Sequence, residues 1–426
     1  MWHDPVAAFR DVARTRSRMY WLDGGGSREW SGPRSIIGWL EEDDVSLTYD
    51  ASRRQVWRVT GGERDLVGDD IFRVLGDELE RDSGRPDVRW VGWFGYACRP
   101  DLPALTSTDS GVPDAVWMRS DREVVFHHGD TGPLSGRTPM RARREPHDEP
   151  EARAGTSGVG RSTYDTWFTR VQEQLHLGNT YEVNLTYREE VRSEVEPFDA
   201  YLRLRELNPA PYAAYFQHDA VSLLSSSPER FATIDAEGWV ETKPIKGTTP
   251  RGATPVEDEA YREALRSDPR YRAENLMIVD LLRNDLSIVC EPGTVTVPVL
   301  MDVESYPSVH QLVSTIRGRL RRGVTTVEAL RALFPPGSMT GAPKLRTMSV
   351  IADVETTARG VYSGALGWVS GDGRADLGVV IRSLVARDGL YTLGTGGGVT
   401  VRSDARSEYD ETRWKAARLL EALEPG

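Results

Sequence analysis

The 426-residue sequence predicts a mixed fold of the α/β or α+β class. Three observations predict it. The first 128 residues alternate apolar and polar side chains with a period of two and are rich in aromatic residues, the pattern of half-buried strands. From Ser162 onward, segments with helical spacing and cap residues alternate with strand-like runs. The junctions between them are dense in Gly and Pro, as in "KPIKGTTPRG" and "FPPGSMTGAPK". Such mixtures bury their apolar faces by packing helices on sheets.

Taken in order, residues 1–128 read as a β-rich region, with strands in "SIIGWLEEDDVSLTYD", "QVWRVTGG", "VRWVGWFGYA" and "REVVFHH". Residues 129–160 hold few apolar side chains and many Gly, Pro, Ser and charged ones, which predicts an exposed linker. Residues 161–426 carry the rest of the fold. There "STYDTWFTRVQEQLHLG" reads as a helix opened by a Ser/Thr cap and closed at Gly178. A strand in "YEVNLTYRE" follows, then a helix near 197–208 and strands around 212–248. Glu274 is read as opening the helix "ENLMIVDLLRNDLS". A helix near 325–333 precedes "FPPGSMTGAPK", and "SEYDETRWKAARLLEALE" closes the chain as an amphipathic helix.

Composition excludes several function classes. At 39% hydrophobic and 28% charged, the chain is an ordinary globular protein. No apolar run approaches the roughly 18 residues of a membrane span. The N-terminus lacks the apolar core of a signal peptide. Two cysteines, Cys98 and Cys290, suit a reducing compartment. A cytoplasmic protein without membrane attachment is therefore expected. The net charge of −12 and the lack of a basic stripe argue against nucleic acid as a partner. The one basic run, "RARRE" at 141–145, falls in the expected linker. An anionic ligand would need its own local cations or a metal ion.

Several residues could carry chemistry. Lys246 stands between Pro244-Ile245 and Gly247-Thr248, so a flexible cation is held in a stiff stretch. Glu408 and Glu411 are three apart on one helix face, with Lys415 a turn further along. By themselves they make a solvated charged face; with a ligand they suit Mg²⁺, which takes a few carboxylates plus water and ligand oxygens. Glu274 alone is an acidic residue complementing a helix N-terminus. "GTGGGVT" at 394–400 matches a dinucleotide turn poorly and reads better as exposed backbone N–H groups able to hold a carboxylate. "GSMTGAPK" lacks the ending of a phosphate loop. Glu229 in "SSPERF" and His310 in "PSVHQLVSTIRG" are, taken singly, a surface glutamate and a satisfied core histidine.

The order of these segments resembles the chorismate-utilising enzymes, the family of anthranilate, isochorismate, salicylate and aminodeoxychorismate synthases. Seven motifs carry the resemblance: "YEVNLTYR", "SPERF", "KPIKGTTPRG", "ENLMIVDLLRNDL", "FPPGSMTGAPKLRTM", "RGVYSGALGW" and "GGGVTVRSDARSEYDETRWKA". They span about residues 162–420, with weaker similarity in "WLD" and "VGWFGYA". The resemblance implies two stacked, mainly antiparallel sheets with helices outside, the N-terminal region integrated in the same fold, and residues 161–426 as the chorismate-binding catalytic region. It implies Mg²⁺ held by Glu274, Glu408 and Glu411. Tyr362, Arg382, Gly396, Gly397 and Gly398, with Lys415 nearby, would hold a substrate carboxylate. His310, Thr248 and the Thr340-Gly341-Ala342 turn would lie at the ring, and Glu229 would be the general acid/base.

Lys246 resembles the residue that distinguishes the members aminating chorismate at C4. Members that put a nucleophile directly at C2 usually carry alanine at this position. The resemblance therefore implies a transferase-type amination of chorismate by ammonia through a Lys246 adduct. Either a separate glutamine amidotransferase subunit or the use of free ammonia is expected, since no cysteine here has the setting of a glutaminase nucleophile. A C2-aminating synthase and a silent chorismate-binding regulatory paralogue are the alternatives. Two positions depart from the family: Glu182 often stands as Gln, and Pro336 as Gly.

Overall fold

The structure is a computed structural model that describes residues 4–24, 34–108, 110–128, 156–306 and 309–425. Two large sheets, in which every pairing is antiparallel, form its frame. The first runs Gly341–Ala342, Glu182–Arg192, Leu390–Val399, Ser383–Arg387, Val221–Ser227, Tyr212–His218, Arg18–Asp23, Arg34–Trp39 and Glu123–His127. The second runs from Ile245–Pro250 and Val309–Arg319, through Trp239–Lys243 and Arg230–Ile234, to the hairpin Gln55–Thr60 and Glu63–Gly68. Strands from before residue 128 pair directly with later ones: Arg18–Asp23 with Tyr212–His218, and Arg89–Phe94 with Ala365–Ser370.

The sheets stack through apolar side chains of both. Tyr20, Ala214, Phe216 and Leu223 of the first meet Val91, Trp93, Val116 and Met118 of the second in one buried cluster. Burying side chains of this size supplies most of the driving force, at roughly 25 cal/mol per Å² of apolar surface. Helices cover the outer faces. Arg161–His176 and Lys344–Val354 pack on the first sheet through Phe168, Val171, Val350 and Ile351. Ile71–Arg81, Pro269–Val289 and Thr326–Leu333 pack on the second.

Local signals explain most boundaries and correct three readings. The helix containing Glu274 runs Pro269–Val289, so Glu274 lies within it and does not open it. Asp268 caps it by accepting from Arg270 N, and Pro269 takes the first helical position, where a missing N–H costs nothing. The helix Arg161–His176 begins after Gly160 with no side-chain cap, so the Ser/Thr cap is absent. The N-terminal region also contains two helices, Pro5–Ala13 and Ile71–Arg81, each capped by an aspartate, Asp4 and Asp70. Of the expected linker, 129–155 lies outside the described residues; Thr156–Ser157 pairs with Glu182–Arg192. Cys98 and Cys290 are both buried and free.

Candidate active site

One cavity of about 320 Å³ is lined from both sheets and from the helices Pro269–Val289 and Ala405–Glu421. Its glycine wall is the end of the strand Leu390–Val399. The strand Ser383–Arg387 pairs with that strand only as far as Leu393. Gly394–Gly398 therefore pair on one side with Glu182–Arg192 and offer their other edge to the cavity. Lys415 reaches this wall from the closing helix, donating to Gly396 O at 3.0 Å.

Lys246 enters from the opposite sheet. Its strand, Ile245–Pro250, pairs with Val309–Arg319, but the register shifts between Ile245 and Thr248. The irregularity falls on Lys246 and on Gly247, whose φ of +88° few other residues adopt. The lysine is thereby taken off the ladder and aimed at the glycine wall. It is buried, and its ammonium donates to Glu182 Oε1. Gly398 makes room for this pair: a Cβ there would collide with the Glu182 carboxylate and stand 3.1 Å from Lys246 Nζ.

Glu229 sits where the chain leaves the first sheet after Ser227 and enters the second at Arg230. It is buried, and burial pushes its carboxyl up to about 7, with the Ser338 hydroxyl and Lys246 pulling the other way. Glu274 is also pushed up to about 7 by burial; Lys246 opposes the shift and Glu182 adds to it. Burial raises Glu408 as well, while Lys415, paired with Glu411 at 2.7 Å, holds Glu411 low. For Lys246, burial disfavours the charge but Glu182 and Glu274 outweigh it, so its pKa is raised. The residues of the resting pocket thus favour an ammonium.

Of the residues named from sequence, Glu229, Lys246, Thr248, Glu274, Tyr362, Arg382, Gly396, Gly397, Gly398, Glu408, Glu411 and Lys415 all line the cavity. Arg382 does so with φ +51°, a conformation uncommon outside glycine, and lays its guanidinium 5.5 Å from the Trp414 ring. Glu182 lies behind Lys246. Thr340, Gly341 and Ala342 are not in the lining; Gly341 and Ala342 pair with Val183 and Glu182 and so brace the latter. His310 is not in the lining either. Its Nδ1 is 2.7 Å from Ser305 Oγ and its Nε2 is 3.0 Å from Asp258 Oδ1, while its neighbour Gln311 faces the cavity.

Sequence reading missed Arg270, Ser338 and Trp414, all in the wall. Arg270 stands one turn before Glu274 on the same helix, and the Asp-Pro start at 268–269 would have revealed it. Among the described residues, no three carboxylate, histidine or cysteine side chains are gathered as a ready metal set. Glu274, Glu408 and Glu411 nevertheless face one cavity, and a hard cation that completes its shell with ligand oxygens suits such an open arrangement.

Residues 18–421 match the family model for chorismate binding enzymes, and the chain belongs to that family. It is 39% identical to an aminodeoxychorismate synthase of Streptomyces pristinaespiralis, over 99% of this chain and 64% of that protein. It is 37% identical to aminodeoxychorismate synthase component 1 of Escherichia coli (strain K12), over 85% of this chain and 84% of that protein. The chain thus spans less than two thirds of the Streptomyces relative's length. The anthranilate synthase component I structure from Streptococcus pneumoniae superposes with a TM-score of 0.75 at 25% identity, covering 91% of this chain and 92% of that one. Among the described residues, no helix is long and apolar enough to cross a membrane.

Proposed function

We propose that the chain aminates chorismate at C4, as an aminodeoxychorismate synthase, with ammonia supplied by a glutamine amidotransferase subunit. The observation that carries this reading is Lys246, buried in the cavity wall beside a carboxyl group, Glu229, whose pKa lies near 7. The aminodeoxychorismate synthase names of its relatives support it, and the component 1 name of the Escherichia coli relative fits a second component.

In this reading the Lys246 amine attacks C2 of the ring, and the C4 hydroxyl leaves as water with a proton from Glu229. Ammonia then bonds to C4 and expels the lysine amine, so the two displacements leave nitrogen where oxygen was. A carboxyl that stays protonated to about pH 7 is suited to the donor's role. Arg382, Tyr362 and the free edge of Gly394–Gly398 offer fixed donors for a carboxylate, which an acidic protein needs locally. Mg²⁺, when bound by Glu274, Glu408 and Glu411, would supply the positive charge that lets a dianion share the pocket with three carboxylates.

The test is product analysis with chorismate, Mg²⁺ and ammonium salt. The parent should yield 4-amino-4-deoxychorismate, and without ammonia it should accumulate a covalent adduct of chorismate minus water on Lys246. Lys246→Ala should abolish the adduct and depress C4 amination by on the order of 10³-fold or more, the scale on which loss of an acting nucleophile is felt. Parent-rate amination by the alanine variant would sink the covalent route. An anthranilate product would assign C2 chemistry instead.

A further inference from the structure

We infer that Glu182 is the base that frees the Lys246 amine, taking its proton at the start of the cycle and returning it at the end. This inference rests on the covalent reading above. Three observations on geometry carry it. Glu182 is 1% exposed, and its Oε1 receives the hydrogen bond of the Lys246 ammonium. Its Oε2 is buried with no hydrogen-bond partner among the described residues. The pair fits only because position 398 lacks a Cβ, and the Glu182 backbone is fixed by pairing with Ala342.

An unmet buried acceptor costs roughly 1–3 kcal/mol, so the second oxygen of Glu182 is a place where gaining a proton relieves the cost of burial. Protonating Glu182 and neutralising Lys246 turns two buried charges into two neutral partners joined by the same hydrogen bond. In a low-dielectric pocket that exchange is cheaper than releasing either ion to water. The other charged groups that bear on Lys246 are Glu229 at the crossover between sheets, Glu274 on the helix Pro269–Val289, and Glu411 on the closing helix. Among the described residues, only Glu182 holds the ammonium directly.

The proton balance closes. The Lys246 ammonium gives one proton to Glu182, and the amine forms its bond to C2. Glu229 protonates the C4 oxygen, and water departs. Ammonia bonds to C4, the bond from C2 to lysine nitrogen breaks, and the new C4 ammonium returns its extra proton to Glu229. Glu182 then reprotonates the released amine. The sum is chorismate plus ammonia giving 4-amino-4-deoxychorismate plus water, with no proton drawn from solvent to free the lysine.

The test is the rate of adduct formation, followed by intact-protein mass spectrometry with chorismate and Mg²⁺ but no ammonia, from pH 6 to 9. The parent should show a rate with no rising limb, since the acceptor is built in: level to about pH 7 and falling above it as Glu229 loses the proton it must donate. Glu182→Gln should slow the adduct at pH 7 by on the order of 10²-fold, the size typical of one general base. Divided by the parent rate at each pH, its rate should climb roughly tenfold per pH unit, because an unassisted lysine must lose its proton to solvent. Glu182→Asp should fall between the two and keep the parent's profile; a residue that only positioned Lys246 would change the rate without changing its ratio to the parent across pH. Parent-like rate and profile in the glutamine variant would overturn the inference while leaving the covalent reading standing. No adduct in the parent at any pH would overturn both.

Discussion

Behind the cavity, two arginines share Glu355; inside it, Glu182, Glu229 and Glu274 bear on one lysine. The first group is saturated around its carboxylate. Glu355 receives Arg359 Nε at 3.0 Å and Nη2 at 2.7 Å, and both Thr186 N and Thr186 Oγ1 at 2.9 Å. Arg359 spends its remaining donors on Met339 O and Asn184 O. Arg188 lies 3.8 Å from Glu355 and stacks 4.6 Å from the ring of Tyr362, which lines the cavity. Burial opposes the Arg359 charge, Glu355 outweighs it, and the guanidinium stays ionised. Around Lys246 the count is reversed. One ammonium serves several carboxylates, two of them are pushed up to about 7, and one oxygen of Glu182 has no partner among the described residues. A buried carboxylate saturated with donors fixes geometry, whereas an excess of acid holds places for a proton, a cation or a cationic intermediate.

The comparison breaks most visibly at the metal. If the excess of carboxylates exists to take Mg²⁺, Glu411→Gln or Glu408→Gln should lower turnover by on the order of 10²-fold or more. Changes one shell further out from a metal already cost 10–100-fold. The check is turnover across an Mg²⁺ titration, with circular dichroism to verify the fold. Unchanged turnover and unchanged Mg²⁺ dependence would make these glutamates a solvated face, the plainer reading of their spacing.

The saturated cluster should fail differently. Glu355→Ala strands two buried guanidinium groups and two donors of Thr186, which should cost about 3–5 kcal/mol of stability. Urea unfolding of parent and variant measures it. A loss under about 1 kcal/mol, the scale of an exposed pair, would mean that the cluster is not the brace described here.

What the sequence made legible follows from the range of the forces involved. Lys246 stood out from its immediate neighbours, a proline and a glycine of positive φ, whereas Glu229, Tyr362 and Arg382 were carried by the resemblance of their motifs. The partnership of Glu182 with Lys246 was not legible, since 64 positions separate them and a third segment, Gly398, makes the room. His310 illustrates the same limit. Both its ring nitrogens are engaged by Ser305 and Asp258, which only the fold brings to it. The helices Pro5–Ala13 and Ile71–Arg81 were missed for a different reason. Each is announced by an aspartate cap, at Asp4 and Asp70, but the aromatic alternation around them dominates a reading by period.

The smallest expected effect sharpens the comparison most, because it separates function from stability at one residue. Glu229 is raised from its ordinary 4.5 to about 7, chiefly by burial. A carboxyl raised in the folded state binds its proton more tightly there than in the unfolded chain. Stability therefore falls as pH rises from about 4.5 to about 7, and the whole penalty is present above that. About 2.5 units at 1.36 kcal/mol each makes the penalty about 3 kcal/mol. Glu229→Gln keeps the shape and removes the charge, so in metal-free protein it should stabilise the fold by about that amount at pH 8 and by little at pH 4. The same variant should lose amination at both pH values, because an amide cannot donate the proton that the departing hydroxyl needs. Urea unfolding at the two pH values, set beside turnover, reads both effects. A destabilised variant at pH 8 would show that the ionised Glu229 is held by its neighbours as Glu355 is, and the contrast between the two clusters would not extend to it.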